Sequence, residues 1–199
     1  MEADMHKHVA LVGKARSGKD TVGQILVQHA GYTRLAFADK LKEAALRLDP
    51  EINLRRQGAV VRSDWLSALV GARSWETAKA VYPEVRRFLQ EFGQTMRELD
   101  PHIWIRPVMT RVMNGTRWNM PTVVTDVRYL NEVDALRDQG ALIVRVERPG
   151  AGLSGDAGAH ASETELDAVE ADVTIVNDGT LDDLADDVRT LYRYHLTGE

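Results

Sequence analysis

Nine residues near the N-terminus combine side chains and spacing that suit phosphate. In Gly13-Lys14-Ala15-Arg16-Ser17-Gly18-Lys19-Asp20-Thr21, two glycines stand five positions apart and a lysine follows the second. Such glycines let a backbone curl until its N–H groups converge on an anion, and the lysine adds a positive charge beside them. Gly13, Ala15, Ser17, Gly18, Lys19 and Thr21 are therefore candidates for holding a polyphosphate. The strict pattern has Ser or Thr directly after the lysine; here Asp20 takes that place and Thr21 follows. An oxygen ligand for Mg²⁺ and a hydroxyl for a phosphate both remain within one turn. The competing reading is a glycine-rich turn with a solvated lysine, and the order strand, loop, helix around the motif argues against it.

Other polar groups gather downstream. Thr122-Val123-Val124-Thr125-Asp126 ends an apolar run in a carboxylate, and Arg128 and Glu132 follow. Ligands of open α/β sheets bind beyond the carboxyl ends of strands, so Asp126 and Arg128 are expected to face the same crevice as Lys19. A structural ion pair is the alternative for those two. A helical stripe carries Arg86, Gln90, Gly93 and Arg97; its mid-helix glycine implies a close approach either by a flat ligand or by a neighbouring helix. Residues 147–161 are rich in glycine and bounded by Arg145, Arg148 and His160, as in a flap over a site or a floppy connection.

The elements that must position these groups are legible from periodicity. Val9 to Val12 is an uncharged run of the kind buried on both faces of a parallel sheet. Helical patterns cover 21–30, with Val22, Ile25, Leu26 and His29 on one face and Gly31 as the stop, and 38–48, ended by Asp49-Pro50. Further strands are expected at 33–37, 122–126, 141–146 and 172–176. Residues 51–83 show several arginines, two small helical patterns and no convincing strand. They read as a helical insertion. A strong helix spans 84–100, its apolar face made by Val85, Phe88, Leu89, Phe92, Met96 and Leu99. Pro101 opens another carrying Trp104, Asn131 caps one running to Gln139, Ser162 and Glu165 form a capping box, and 180–196 closes the chain. Asn177-Asp178-Gly179 is a turn. Strands alternating with helices predict a three-layer α/β/α fold on a five-stranded parallel sheet.

The 199 residues suit one domain, with a core of 1–50 and 100–199 and an insertion at about 51–99. The net charge of -5 and scattered cations leave no footprint for a nucleic-acid polymer, so any nucleotide is expected as a small molecule. The chain has no cysteine, which fits a reducing cytoplasm and excludes a thiol nucleophile. No apolar run approaches the ~20 residues that span a bilayer, and the N-terminus lacks a signal-peptide core.

A phosphate loop alone leaves kinases, GTPases, ATPases and motors open. The Asn-Lys-x-Asp guanine reader is missing, Asn177-Asp178-Gly179 lacking its lysine, and no module for an ATP-driven machine is visible. A small kinase remains, with a kinase for dephospho-coenzyme A or phosphomevalonate and a non-catalytic nucleotide switch as alternatives.

At this point the residues resemble a family. The Ser-Gly-Lys-Asp-Thr loop, the segment Arg86-Arg87-Phe88-Leu89-Gln90-Glu91-Phe92-Gly93, the segment Asp100-Pro101-His102-Ile103-Trp104, the run from Thr125 to Glu132, His160-Ala161-Ser162-Glu163 and Asn177-Asp178-Gly179-Thr180 follow in the order seen in bacteriophage deoxynucleoside monophosphate kinases. The resemblance implies a P-loop NTPase-like fold and transfer of phosphate from ATP, with Mg²⁺, to a deoxynucleoside 5′-monophosphate. It implies that Lys19, Arg16, Asp20 and Arg128 act in catalysis, with Asp20 on the metal. Arg145, Arg148, Asn177 and Gly179 join the loop around ATP. Lys14, Arg73, Arg86, Arg87, Gln90, Trp104, Asp126, Arg128 and Glu132 would serve the acceptor. Relatives often carry a basic residue where Ala15 stands and Thr where Gln94 stands, so acceptor preference is not implied. A homodimer and a host-cytoplasmic location are expectations from relatives only.

Overall fold

The computed structural model describes residues 8–71, 73–152 and 165–197. The chain forms two compact units: one from the residues up to Phe37 together with those from Ile105 on, the other Ala38–Trp104.

The first unit is built on a parallel sheet. Its strands are β1 (Val9–Val12), β2 (Thr33–Leu35) and β5 (Thr122–Val124), then β6 (Leu142–Glu147) and β7 (Val173–Val176), in the order β2-β5-β1-β6-β7. All four residues of β1 are buried, and their alternation divides the core. Val9 and Leu11 face a cluster with Val22, Ile25 and Leu26 of α1 (Lys19–Ala30) and Leu184 and Val188 of α8 (Leu181–Leu191). Ala10 and Val12 face the other side, against Val108 and Val112 of α6 (Ile105–Arg117) and Val133 and Leu136 of α7 (Leu130–Arg137). The period of two in a strand thus makes three layers from one apolar tetrapeptide. The five expected parallel strands and the three-layer α/β/α architecture are present.

Several local expectations change. His29 is exposed rather than on the buried face of α1. Residues 101–104 form turns, so Trp104 precedes α6. Asn131 does not cap α7: Tyr129 is the N-cap, and the Glu132 carboxylate accepts the Arg128 N–H at 2.8 Å and the Tyr129 N–H at 3.3 Å. Ser162 of the expected capping box and His160, the expected boundary of the glycine-rich segment, lie outside the described residues, as does most of 147–161; Glu165 is described, and its Oε1 accepts the Leu130 N–H at 2.7 Å. Gly31 ends α1 in the left-handed region at φ 70°, as its sequence position suggests.

The second unit has its own core. Ala45 of α2 (Phe37–Leu48), Leu66 and Leu69 of α3 (Leu66–Gly71), Ala78 of α4 (Trp75–Val81) and Val85 and Leu89 of α5 (Pro83–Leu99) meet there. So do Ile52 and Leu54 of an antiparallel hairpin, β3 (Glu51–Arg56) paired with β4 (Ala59–Trp65). The sequence shows no convincing strand here, and the structure supplies two. A register shift at Leu54/Arg55 breaks the alternation, and Val60 and Val61 are exposed, so period two never runs long enough to be read. Gln57 and Gly58, both at positive φ, make the tight turn. Leu99, expected in the apolar face of α5, is 76% exposed, while Gly93 is buried. A Cβ at Gly93 would lie 2.8 Å from Leu41 Cδ1, so the close approach at this glycine is by α2.

Candidate active site

Because the five strands are parallel, their carboxyl ends share one edge of the sheet, and the loop after β1 lies on it. Three of its residues have positive φ: Gly13 at 136°, Arg16 at 66° and Gly18 at 109°. Positive φ at three of these six positions curls the chain tightly, as a loop that wraps an anion requires, and the Ser17 N–H closes a turn on the Lys14 carbonyl at 3.3 Å. The glycines are required sterically as well. A Cβ on Gly13 would meet the Val146 carbonyl oxygen at 2.3 Å, and one on Gly18 the Asn177 Nδ2 at 2.4 Å.

Lys19 opens α1 and is only 9% exposed. Its ammonium folds back across the loop, donating to the carbonyl oxygens of Gly13 at 2.6 Å and Lys14 at 2.7 Å. Asp20 is exposed in the first turn of α1 and Thr21 half-buried beside it. The Ser17 hydroxyl is buried and has no hydrogen-bond partner. A buried hydroxyl in that state carries a desolvation cost that a bound oxyanion would relieve.

Asn177, at the end of β7, donates from Nδ2 to the Ser17 carbonyl at 2.8 Å, and its N–H reaches the Glu147 carbonyl at 2.7 Å. It thereby braces the loop from the far strand. Gly179 precedes the Thr180 cap of α8, where Asp183 accepts from the Thr180 N–H and hydroxyl. Those bonds hold the Asp183 carboxyl below its usual pKa. Gly13, Lys14, Ser17, Arg145, Arg148 and Asp167 line a cleft of about 400 Å³. Lys14, assigned by sequence to the acceptor, therefore shares it with donor-side residues. Arg145 points its guanidinium at the carbonyl oxygens of Leu166 and Val169, at 2.9 and 2.6 Å.

Asp126 follows β5, the neighbour of β1, and its Oδ1 accepts the Phe37 N–H at 2.8 Å. Arg128 is half-buried, and Glu132 is 1% exposed with its carboxylate on the backbone as described. In the second unit, Arg86 and Gln90 are half-buried on α5, Arg87 is exposed there, and Arg73 is exposed with its guanidinium over the Tyr82 ring. Trp104 is 5% exposed; its indole N–H donates to the Gly93 carbonyl at 3.2 Å and its ring meets Phe92 edge-on. The sequence alone points neither to Asp167 nor to the bracing contact of Asn177. Both depend on pairings across most of the chain, for which no local pattern exists.

A family model described as deoxynucleotide monophosphate kinase matches residues 73–188, more than half of the chain. The chain belongs to this kinase family. It is 26% identical over 186 residues to a protein of Acanthamoeba polyphaga mimivirus that carries a provisional deoxynucleotide monophosphate kinase name, covering 88% of this chain and 90% of the relative. The deoxynucleotide monophosphate kinases of Escherichia phage RB69 and Enterobacteria phage T4 are 28% and 31% identical over 113 and 106 residues. Those alignments cover 55% and 50% of this chain but only 45% and 42% of the phage proteins, so the match spans under half their length. Among solved structures, dephospho-CoA kinase from Campylobacter jejuni superposes with a TM-score of 0.56 over 98% of this chain and all of that one, at 14% identity. An unliganded sugar kinase from Janibacter sp. HTCC2649 gives 0.53 over 96% of this chain and 95% of that one, also at 14%. These neighbours bear out the P-loop kinase fold, and family membership makes the kinase a phosphotransferase.

Proposed function

We propose that this kinase transfers the γ-phosphoryl group of ATP to a deoxynucleoside 5′-monophosphate, yielding the diphosphate and ADP. The observation that carries the reading is the loop between β1 and α1: a tight curl with three residues at positive φ, a buried lysine and an orphaned hydroxyl at the carboxyl edge of a parallel sheet, in a chain of this family. Phosphoryl transfer asks a protein for alignment and charge neutralisation more than for covalent chemistry, and such a loop supplies both.

In this reading the amides of Gly13, Ala15 and Gly18 face the β- and γ-phosphates, the Ser17 hydroxyl donates to a phosphate oxygen, and Lys19 supplies positive charge. Thr21 holds a more distal phosphate, and Arg16 neutralises the group in flight. Mg²⁺ suits the oxygen donors at the start of α1, where Asp20 is exposed and Thr21 adjacent, since this ion keeps several waters and takes few protein ligands. When bound it would neutralise phosphate charge. Arg148 flanks the donor from the cleft, Asn177 braces the loop, and the turn from Asn177 through Gly179 passes beneath the adenine. Asp126, Arg128 and Glu132 of the first unit, and Arg73, Arg86, Arg87, Gln90 and Trp104 of the second, are each assigned to the acceptor, whereas Lys14, placed by the sequence with the acceptor, lines the donor-side cleft and is assigned to the polyphosphate there.

Incubation of the protein with Mg²⁺, ATP and each of the four common deoxynucleoside monophosphates, with dephospho-coenzyme A and phosphomevalonate as comparison acceptors, tests the reading. Formation of a deoxynucleoside diphosphate with stoichiometric ADP is expected. Turnover confined to another acceptor, or ATP binding without transfer to any, would overturn it.

A further inference from the structure

One ion pair joins the phosphate loop to a distant part of the same unit. The Lys14 ammonium lies 2.5 Å from Asp167 Oδ1 and 2.6 Å from Oδ2, so both carboxylate oxygens grip it, as two oxygens of a phosphate would. Exposed ion pairs of long side chains are commonly loose and worth little. This one has a fixed end. Arg145 sits on β6 in register with Val12, and its guanidinium donates to the carbonyls of Leu166 and Val169, which flank Asp167 in the chain. Leu166 is itself buried in the core under β1. A cation facing an anion cleft is thus used to pin the turn that delivers an anion there.

We propose that Asp167 is a latch on the phosphate cleft: its carboxylate occupies Lys14 in place of a phosphate, and an incoming polyphosphate must displace it to engage that lysine. The charged groups lining the cleft are Lys14, Arg145, Glu147, Arg148 and Asp167. Removing the Asp167 charge therefore leaves three cations against one carboxylate. The buried, unpartnered Ser17 hydroxyl in the same cleft marks where a ligand oxygen completes the site. The latch acts on binding, so Asp167 is a positioning residue that sets how strongly an empty loop attracts anions. The inference deepens the proposed function and rests on its reading of the loop as a phosphate site.

Equilibrium titration of wild type, Asp167→Asn, Asp167→Glu, Lys14→Gln and the Lys14→Gln/Asp167→Asn double variant tests it, with ATP, inorganic tripolyphosphate and a deoxynucleoside monophosphate as separate probes. Asp167→Asn is expected to bind ATP and tripolyphosphate about three-fold more tightly at low salt, the scale of one released surface pair. Asp167→Glu should stay near wild type, and the gain should vanish on the Lys14→Gln background. A gain seen only with the monophosphate would place the latch on the acceptor phosphate instead of the donor and so overturn the polyphosphate form of the proposal. Unchanged or weaker binding of every probe by Asp167→Asn, or an equal gain without Lys14, would overturn it altogether. If wild type binds tripolyphosphate but not ATP, the nucleotide reading fails while the latch is still decided by the same cycle. If no phosphate probe binds any variant, both fall.

Discussion

Lys19 is held by two loop carbonyls in this structure and assigned to the phosphates of ATP, so its loss should separate activity from folding. Lys19→Ala is expected to lower turnover by at least about 10²-fold, the usual cost of one preorganised charge donor. Circular dichroism and the thermal midpoint should stay near wild type, since the lost bonds lie within one turn of chain. Near-normal turnover in that variant would remove the lysine from the reaction. His8 makes a different kind of prediction. It is buried; its Nδ1 accepts from the N–H of Thr122 at 3.1 Å and lies 2.8 Å from the Thr122 hydroxyl, while Nε2 lies 2.8 Å from the Thr116 hydroxyl. This network calls for the neutral ring with its proton on Nε2, and burial lowers the His8 pKa below 6.5. As the pH falls through 6.5, the unfolded chain takes up a proton that the folded chain refuses, so stability declines until the folded pKa is reached. Urea midpoints measured from pH 7.5 down to 5.5 should fall, and His8→Leu should flatten that slope whatever its own stability.

At the level of elements, two glycines in helices set apart hard and soft neighbours. A Cβ at Gly115 in α6 would lie 2.6 Å from the Met120 carbonyl oxygen and 3.1 Å from the His8 ring. Backbone cannot yield, so Gly115→Ala should cost about 2 kcal/mol or more, as overpacking does. At Gly93 the obstacle is the end of the Leu41 side chain, which can rotate away. There the gain of about 1 kcal/mol in helix propensity offsets the crowding, and Gly93→Ala should fall within about 1 kcal/mol of wild type in denaturant unfolding. A larger loss at Gly93 than at Gly115 would contradict this packing. These elements also show what a sequence can disclose. The five parallel strands were legible because a strand covered on both faces must be apolar throughout, and short runs of that kind recur between helical patterns. The curled loop between β1 and α1 was legible because its glycines and lysine are close neighbours in the chain. The hairpin of β3 and β4 was hidden by its register shift, and Gly93 could be placed on a stripe but not assigned a neighbour. Asp167 was hidden because its partner is 153 positions away.

Over the whole molecule, each unit has a separate apolar core, the second centred on fully buried Leu66. Leu66→Ala should therefore weaken the second unit by about 2–5 kcal/mol. ATP binding, assigned to the first unit, should survive at temperatures where phosphate transfer to the monophosphate has already failed. Calorimetric titration beside the coupled assay would show this, and simultaneous loss of both would argue for a single cooperative core. Within the described residues no helix is long and apolar enough to cross a membrane.

The strand order has a consequence for how the chain is made. β1 is the middle of its sheet, yet its partners begin at Val123 and Leu142, beyond the entire second unit. During synthesis the ribosome releases a fully apolar strand long before anything exists to pair with it, while residues 38–104 contain all they need to close at once. Trp65 and Trp75, both in that contiguous stretch, should signal compaction on a nascent chain that stops short of residue 123, whereas protection of the Val9–Val12 amides should wait until β5 and β6 have emerged.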